Sequence, residues 1–338
     1  MKAYVLHGVN DLRYEDCEIP KTQSGWCLVK VKAAGICSSD IPRIFSKGTY
    51  HFPTIPGHEF SGIVESVASE EDNYWVGKRV GAFPLIPCMK CDQCKQHHYE
   101  TCLNYGYIGS RRDGAFGEYV AVPCWNLIEV PENVSFIHAA MLEPLSVALH
   151  ATKLAGNLEG RSFAVIGTGM IGFAVAQWAK RAGAFSVTVI GRSNHKRNIA
   201  DQIEVNYIAK KSEEINQKFD VVLEATGHNS SIEKSIELAS PGGDVILMGN
   251  PYGDIAFPQN VYWQILRKQL TIKGTWNSSY ESGSPCDWSE VVKAIDSKDI
   301  ILDPLVSHTY FQETLAYGLD VMKNHTENYC KIITIWNK

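Results

Sequence analysis

Four of the chain's ten cysteines crowd into fifteen positions: Cys88-x-x-Cys91-x-x-Cys94 and, after seven intervening residues, Cys102. Four soft thiolates from one loop make the closed tetrahedral shell of a structural zinc. Such an ion would organise a loop that has little core of its own. An iron–sulfur cluster could use similar ligands, but no second cluster motif accompanies this one. The remaining cysteines (Cys17, Cys27, Cys37, Cys124, Cys286 and Cys330) are scattered, and a chain of 338 residues needs no disulfide frame.

Three further groups carry chemistry-bearing side chains: Gly35-Ile36-Cys37-Ser38-Ser39-Asp40, Gly57-His58-Glu59 and Glu143-Pro144. A thiolate, an imidazole and a carboxylate give three ligands and leave a fourth position for substrate or water, as in a catalytic zinc site. Each group also has a plainer reading: a core cysteine, a structural histidine, a glutamate at a helix start. Sequence spacing alone does not bring them together.

A third constellation is Gly167-x-Gly169-Met170-Ile171-Gly172, which follows one apolar run and opens another. The first glycine permits the turn, the second admits a pyrophosphate, and the third lets helix and strand pack closely. The helix start offers unpaired N–H groups to phosphate oxygens. Nineteen residues after Gly172 the chain reads Gly191-Arg192-Ser193, where an NAD-selecting acid is expected. The acid is missing and a cation follows, with His195, Lys196 and Arg197 behind it. Arg192 would attract a 2′-phosphate and Ser193 would hydrogen-bond it, so the reading leans to NADP over NAD. The alternative is a solvated helix start with Arg192 stacked on adenine.

These groups must be positioned by the elements around them. Up to about residue 145, short β-branched runs (Trp26 to Val31, Phe60 to Val67, Arg79 to Phe83, Phe116 to Pro123) are separated by Gly and Pro, which predicts a mostly antiparallel β domain. After Pro144 strands alternate with helices: strands at 163–166, 186–190, 219–223, 244–248 and 270–274, helices at 170–182, about 231–239 and 261–268. That alternation predicts a doubly wound parallel sheet. Ser230 and Glu233 have capping-box spacing, and Pro241-Gly242-Gly243 reads as a turn. From about Asn277 the chain is irregular, then helical at 288–297 and 311–323, and this tail is expected to return to the first domain. The expected division is 1–144 with 277–338, and 145–276. Hydrophobic residues make up 45% of the chain, and 32 Lys+Arg against 37 Asp+Glu give a net charge of −5, which disfavours a nucleic-acid partner. Ser162 to Ala179 is eighteen residues without a charge, but its three glycines suit a buried strand and helix better than a membrane span. No signal-peptide core opens the chain, and a cytoplasmic location is expected.

Taken in order, GICSSD, PGHEFSG, the cysteine cluster, DGAFGEYV, EPLSVALHA, GTGMIG, LEATG and LMGNP resemble the zinc-dependent medium-chain dehydrogenase/reductase family over nearly the whole chain. Glu143 stands where alcohol dehydrogenases place a cysteine, so the polyol dehydrogenase branch fits best. DIPRIF, GHEFSG and IGSRRDG are most similar to its galactitol-phosphate members. The resemblance implies an α/β protein: a GroES-like, mostly-β catalytic domain plus a Rossmann domain. It implies that Cys37, His58 and Glu143 hold a catalytic zinc, with Glu59 beside it either as an alternate ligand or as a ligand when substrate is absent. Asp40 would fix the tautomer of His58, and Ser39 would pass the substrate proton outward. Thr226, Gly227, Gly249 and Asn250 would flank the nicotinamide end of the dinucleotide. Pro42 replaces the proton-relay histidine of many alcohol dehydrogenases, so the relay must end in water or elsewhere.

The implied reaction is hydride transfer between a secondary alcohol and NAD(P), with two zincs per chain, one catalytic and one structural. The expected substrate is a sugar-alcohol phosphate of the galactitol 1-phosphate kind, giving a ketose phosphate such as tagatose 6-phosphate. Arg43, Arg111 and Arg112 are candidates for its phosphate, because an arginine fork binds phosphate oxygens bidentately. The competing readings are a free-polyol or threonine-type dehydrogenase and, from another class, a non-catalytic dinucleotide-binding protein. Family members imply a homodimer or homotetramer, to which 244–248 and Trp263 could contribute.

Overall fold

The structure, a computed structural model, describes residues 1–210 and 214–337. It divides into two compact units, Met1–Pro144 with Ser279–Leu302 and Val306–Lys338, and Leu145–Ser278 with Asp303–Leu305.

The first unit is built on a seven-stranded sheet. Its central strand, Trp26–Ile36, alternates inward Cys27, Val29, Val31 and Ala33 with less buried Leu28, Lys30 and Lys32, the period-two pattern of a half-buried strand. It pairs antiparallel with Glu59–Val67, Tyr119–Pro123 and Lys331–Ile335. The register matters most at one end. Gly35 lies opposite both Glu59 and Ile333, and Ile36 opposite Ile332. The sheet therefore brings residue 37, residues 58 and 59, and residue 331 to one place. Val29, Val31, Phe60, Val80, Phe116 and Trp336 form the core beneath.

In the second unit six parallel strands (Ser162–Ile166, Ser186–Gly191, Asn206–Ala209, Phe219–Glu224, Ala239–Leu247, Thr271–Gly274) stand in the spatial order 3-2-1-4-5-6, the Rossmann order. The charge-free stretch becomes the first strand and the helix Met170–Arg181, whose Phe173, Ala174 and Trp178 are buried. Among the described residues no helix is long and apolar enough to cross a membrane.

Three local expectations are corrected. Ser230 and Glu233 form no capping box: the helix is Asn229–Leu238 with His228 at its N-cap, so Ser230 lies inside the first turn. Asn229 Nδ2 instead donates to Glu233 Oε1 at 2.6 Å. Residues 311–323 are not one helix. Val306–Phe311 is a strand parallel to Lys331–Ile335, and the helix is Leu315–Asn324. The alternating burial of Val-Ser-His-Thr-Tyr-Phe was the missed signal. Pro241–Gly243 is not a free turn but an irregularity inside the strand Ala239–Leu247. Phe219 pairs with Ala239 and Val221 with Asp244, so one strand advances two residues while the other advances five.

Candidate active site

The cysteine lobe hangs from a short loop closed by Asp92–Lys95. All four thiols are free, with Sγ separations of 4.0 Å (Cys88–Cys94), 3.5 Å (Cys91–Cys94) and 3.9 Å (Cys91–Cys102). A tetrahedral zinc with bonds of about 2.3 Å requires sulfurs about 3.8 Å apart, and a disulfide about 2.05 Å. The loop thus has the spacing of a metal shell and not of a disulfide. The Cys91 thiol is pulled down to about 6 by the backbone N–H groups of Cys94 and Leu103, while burial pushes Cys94 up to about 12.

At the end of the central strand, Cys37, His58 and Glu59 place one ligand atom each within 4.8 Å of one another. Asp40 is fully buried. Its Oδ2 accepts from the Cys37 N–H at 3.0 Å, and its Oδ1 lies 3.4 Å from His58 Nδ1. That leaves the other imidazole nitrogen for a ligand. Burial pulls the His58 imidazolium down, but Asp40 and Cys37 outweigh it and hold the group well above its usual value. Ser39 Oγ donates to Cys37 Sγ at 3.2 Å and accepts from Arg43 Nη1 at 2.8 Å.

Glu143 opens the helix Leu142–Lys153 and is buried. It lies outside the Cys37–His58–Glu59 triangle, and Tyr107 Oη donates to its Oε1 at 3.4 Å. Burial pushes its carboxyl up to about 7, Glu59 adding to the shift and His58 and Lys331 opposing it. Glu59 is committed elsewhere: its Oε2 accepts from Lys331 Nζ, which also donates to Ile36 O at 3.0 Å. Lys331 and Tyr107 were not singled out in the sequence. A lysine inside an apolar strand was the only available signal for the first, and nothing marked the second.

The charges around this pocket test whether a metal fits. Cys37, Asp40, Glu59 and Glu143 can carry four negative charges, facing Lys331, Arg43 and a His58 that Asp40 and Cys37 keep protonated. A divalent cation on this cluster would replace the protons that His58 and the raised Glu143 carboxyl otherwise hold, leaving the buried charges balanced. A thiolate, an imidazole and carboxylates are zinc ligands.

Of the three candidate arginines, Arg43 joins this site, through Ser39 and 3.6 Å from Asp40 Oδ1. Arg111 is sandwiched between the rings of Tyr50 and Tyr105, at 4.2 and 4.3 Å, and donates to Tyr105 O and Tyr50 Oη. Exposed Arg112 lies over the Trp26 ring.

In the second unit the glycine loop follows its strand and Gly169 caps the helix start with no side-chain cap. A Cβ on Gly169 would meet nothing within 4 Å, whereas one on Gly172 would strike the Gly167 carbonyl. The loop is open where a pyrophosphate would rest and closed where helix meets strand, which is the cradle a dinucleotide needs. Met170 and Ile171 form the first turn. Buried Glu224, also unforeseen, gathers the next segment by accepting from Thr226 N at 2.7 Å and from Gly227 N at 3.1 Å. Glu224 O accepts from Gly249 N at 3.2 Å, so Thr226, Gly227 and Gly249 share one ledge, with Asn250 next along the chain. Of the basic residues after Gly191, Arg192 is exposed, Lys196 Nζ donates to Thr168 O at 2.9 Å, and Arg197 is bound to Asn194 Oδ1 and Tyr207 O.

A family model described as an alcohol dehydrogenase GroES-like domain matches residues 23–132, and one described as a zinc-binding dehydrogenase matches 171–297. Galactitol 1-phosphate 5-dehydrogenase of Escherichia coli (strain K12) is 34% identical over 340 residues, covering 96% of this chain and 97% of its own. L-threonine 3-dehydrogenase of Pyrococcus furiosus is 31% identical over 310 residues, 87% of each. The crystal structure of galactitol-1-phosphate dehydrogenase from Escherichia coli superposes with a TM-score of 0.91 at 31% identity, over 99% of this chain and all of that one. Similarity over this length shows the same fold and the same class of enzyme. The chain belongs to the zinc-dependent medium-chain dehydrogenase/reductase family and is an alcohol/polyol dehydrogenase within it.

Proposed function

We propose that this chain transfers hydride between a secondary alcohol of a sugar-alcohol phosphate and NADP, using one catalytic and one structural zinc. The observation that carries the reading is Arg43. A guanidinium hydrogen-bonded to Ser39 beside Cys37 places a fixed cation next to the metal-ligand cluster. Arg43 already faces the Asp40 carboxylate at 3.6 Å, and its further guanidinium N–H groups suit phosphate oxygens, which a neutral polyol lacks. The 34% identical galactitol 1-phosphate dehydrogenase supports the same substrate class.

Cys37, His58 and Glu143 would hold the catalytic zinc, because the Lys331 ammonium engages Glu59 while Glu143 carries the weaker 3.4 Å bond from the Tyr107 hydroxyl. Bound there, zinc supplies Lewis-acid polarisation of the substrate oxygen, and the nicotinamide supplies the hydride acceptor. Asp40 holds His58 in the tautomer that presents its other nitrogen. Ser39 takes the substrate hydroxyl proton and passes it toward water, since Pro42 offers no relay group. Cys88, Cys91, Cys94 and Cys102 hold the second zinc and keep their loop folded. A dinucleotide would lie on the Gly167–Gly172 loop, with Thr226, Gly227, Gly249 and Asn250 toward its nicotinamide. The missing acid at Gly191, with Arg192 and Ser193 after it, supports NADP. A zinc-binding dehydrogenase from Sinorhizobium meliloti 1021, 28% identical with a TM-score of 0.90 over 99% of this chain and 98% of that one, was solved bound to NADP.

The threonine dehydrogenase relatives favour a second reading, because Arg43 would pair equally with an amino-acid carboxylate. A panel of phosphorylated polyols, free polyols and threonine, each with NAD and NADP, separates the two. The Arg43→Ala variant should lose about tenfold to hundredfold in kcat/KM on phosphorylated substrate and little on free polyols, the worth of one charge-assisted hydrogen bond. Equal losses on both remove the phosphate reading, and turnover of threonine alone replaces it. Homodimer or homotetramer assembly remains part of the proposal. Exposed Trp263 and Leu266, and Ile272 on the edge strand, support it, and sedimentation velocity tests it.

A further inference from the structure

Gly191 ends the second strand of the parallel sheet and is buried, with a backbone that any residue could adopt. Space, not conformation, restricts it. A Cβ built there would overlap Tyr207 Oη, and would lie 2.7 Å from Tyr207 Cζ and 2.8 Å from Thr168 Cγ2. Real Cβ atoms are not found that close to other heavy atoms.

Tyr207 cannot step aside cheaply. It stands on the neighbouring strand Asn206–Ala209, is 6% exposed, and donates from Oη to Ser193 O at 2.6 Å. Arg197 lies over its ring at 5.2 Å and binds its carbonyl at 3.0 Å. Lys210 N bonds Gly191 O at 2.9 Å, and Lys196 Nζ bonds Thr168 O in the glycine loop. Strand end, glycine loop and the following turn are tied around one phenol.

We propose that Tyr207 is a specificity-determining residue for the dinucleotide. It fills the space that any side chain at position 191 would need, so an NAD-selecting acid is excluded sterically and not merely absent. It also fixes the backbone of Ser193 through the hydroxyl bond, which sets where Arg192 and Ser193 project. This proposal rests on the reading that the adenosine ribose lies at the end of the second strand. It predicts that the acid cannot be restored by one substitution. Position 191 and position 207 have to change together.

The test compares the zinc-loaded protein with G191D, Y207V and G191D/Y207V. NADPH and NADH binding are read by nicotinamide fluorescence, and melting temperature in parallel. G191D alone should weaken both dinucleotides and melt about 2–10 °C lower, as an overpacked core does. Y207V should bind NADPH more weakly than wild type, because Ser193 loses the hydroxyl bond that holds it, and its melting temperature reports the cost of the lost ring. G191D/Y207V should recover the melting temperature to that of Y207V and bind NADH at least about tenfold more tightly than G191D, the gain expected when an acid accepts the ribose hydroxyls. A G191D protein that melts like wild type and selects NADH overturns the proposal. So does a double variant that folds or binds no better than G191D. A wild type that prefers NADH removes the NADP reading instead, and the comparison of G191D with the double variant still decides the role of Tyr207.

Discussion

Lys331→Met tests the charge balance of the metal pocket. The ammonium is 4% exposed, its partner Glu59 2%, and it also donates to Ile36 O at 3.0 Å. Burial lowers the lysine's pKa, but Glu59 and Cys37 outweigh it and the group stays charged. Methionine keeps nearly all of the aliphatic stem, so the change opens little cavity and its effect is electrostatic. Breaking a buried pair from one side strands the other charge, at a cost of about 3–5 kcal/mol. The Glu59→Gln variant should suffer similarly, with a stranded lysine. The double variant leaves two neutral groups and should recover more than half of the summed loss. The two units need not unfold together, so hydrogen exchange across 331–335 in urea is the appropriate readout. A loss under about 1 kcal/mol in Lys331→Met, or strict additivity in the double variant, would refute the argument that the pair is an integral part of the buried charge balance.

Two further outcomes follow from the same geometry. Cys94→Ser removes one corner of a shell whose sulfurs stand 3.5–4.0 Å apart, so metal analysis should fall from about two zincs per chain to about one. An unchanged zinc content would remove the cysteine lobe from the metal account. Removing zinc should also make stability depend on pH in a defined direction. The Glu143 carboxyl is pushed up to about 7 by burial, so the folded zinc-free protein binds this proton more tightly than the unfolded chain. That stabilisation is fully present below about pH 4.5 and is lost as pH rises to about 7, by about 3 kcal/mol. His58, raised by Asp40 and Cys37 against the pull of burial, acts in the same sense, while Asp40 titrates at lower pH. With chelator the melting temperature should therefore fall more steeply between pH 5 and pH 8 than in the Glu143→Gln variant, because the Cys91 thiol, held down to about 6, works in the opposite sense in both proteins. Equal slopes in the two proteins contradict the assignment.

The residue types and local spacings were decisive where chemistry is local. Four cysteines within fifteen positions constrain their own loop, and a glycine triplet between a strand and a helix constrains its own turn, so both were legible without coordinates. The switch from alternating to helical periodicity near Pro144 was legible for the same reason. What the sequence could not supply was anything carried by strand register. Cys37, His58, Glu59 and Lys331 meet because Gly35 pairs with both Glu59, 24 positions on, and Ile333, 298 positions on. Lys331 looked like an ordinary lysine until that pairing buried it against a carboxylate. Val306–Phe311 is a strand because Lys331–Ile335 is there to pair with it, and Tyr207 matters because a parallel neighbour ends in a glycine. Long-range hydrogen-bonded pairing and shared buried space depend on partners that no local window contains. The tertiary structure alone therefore decided which charges are compensated and which side chains are excluded.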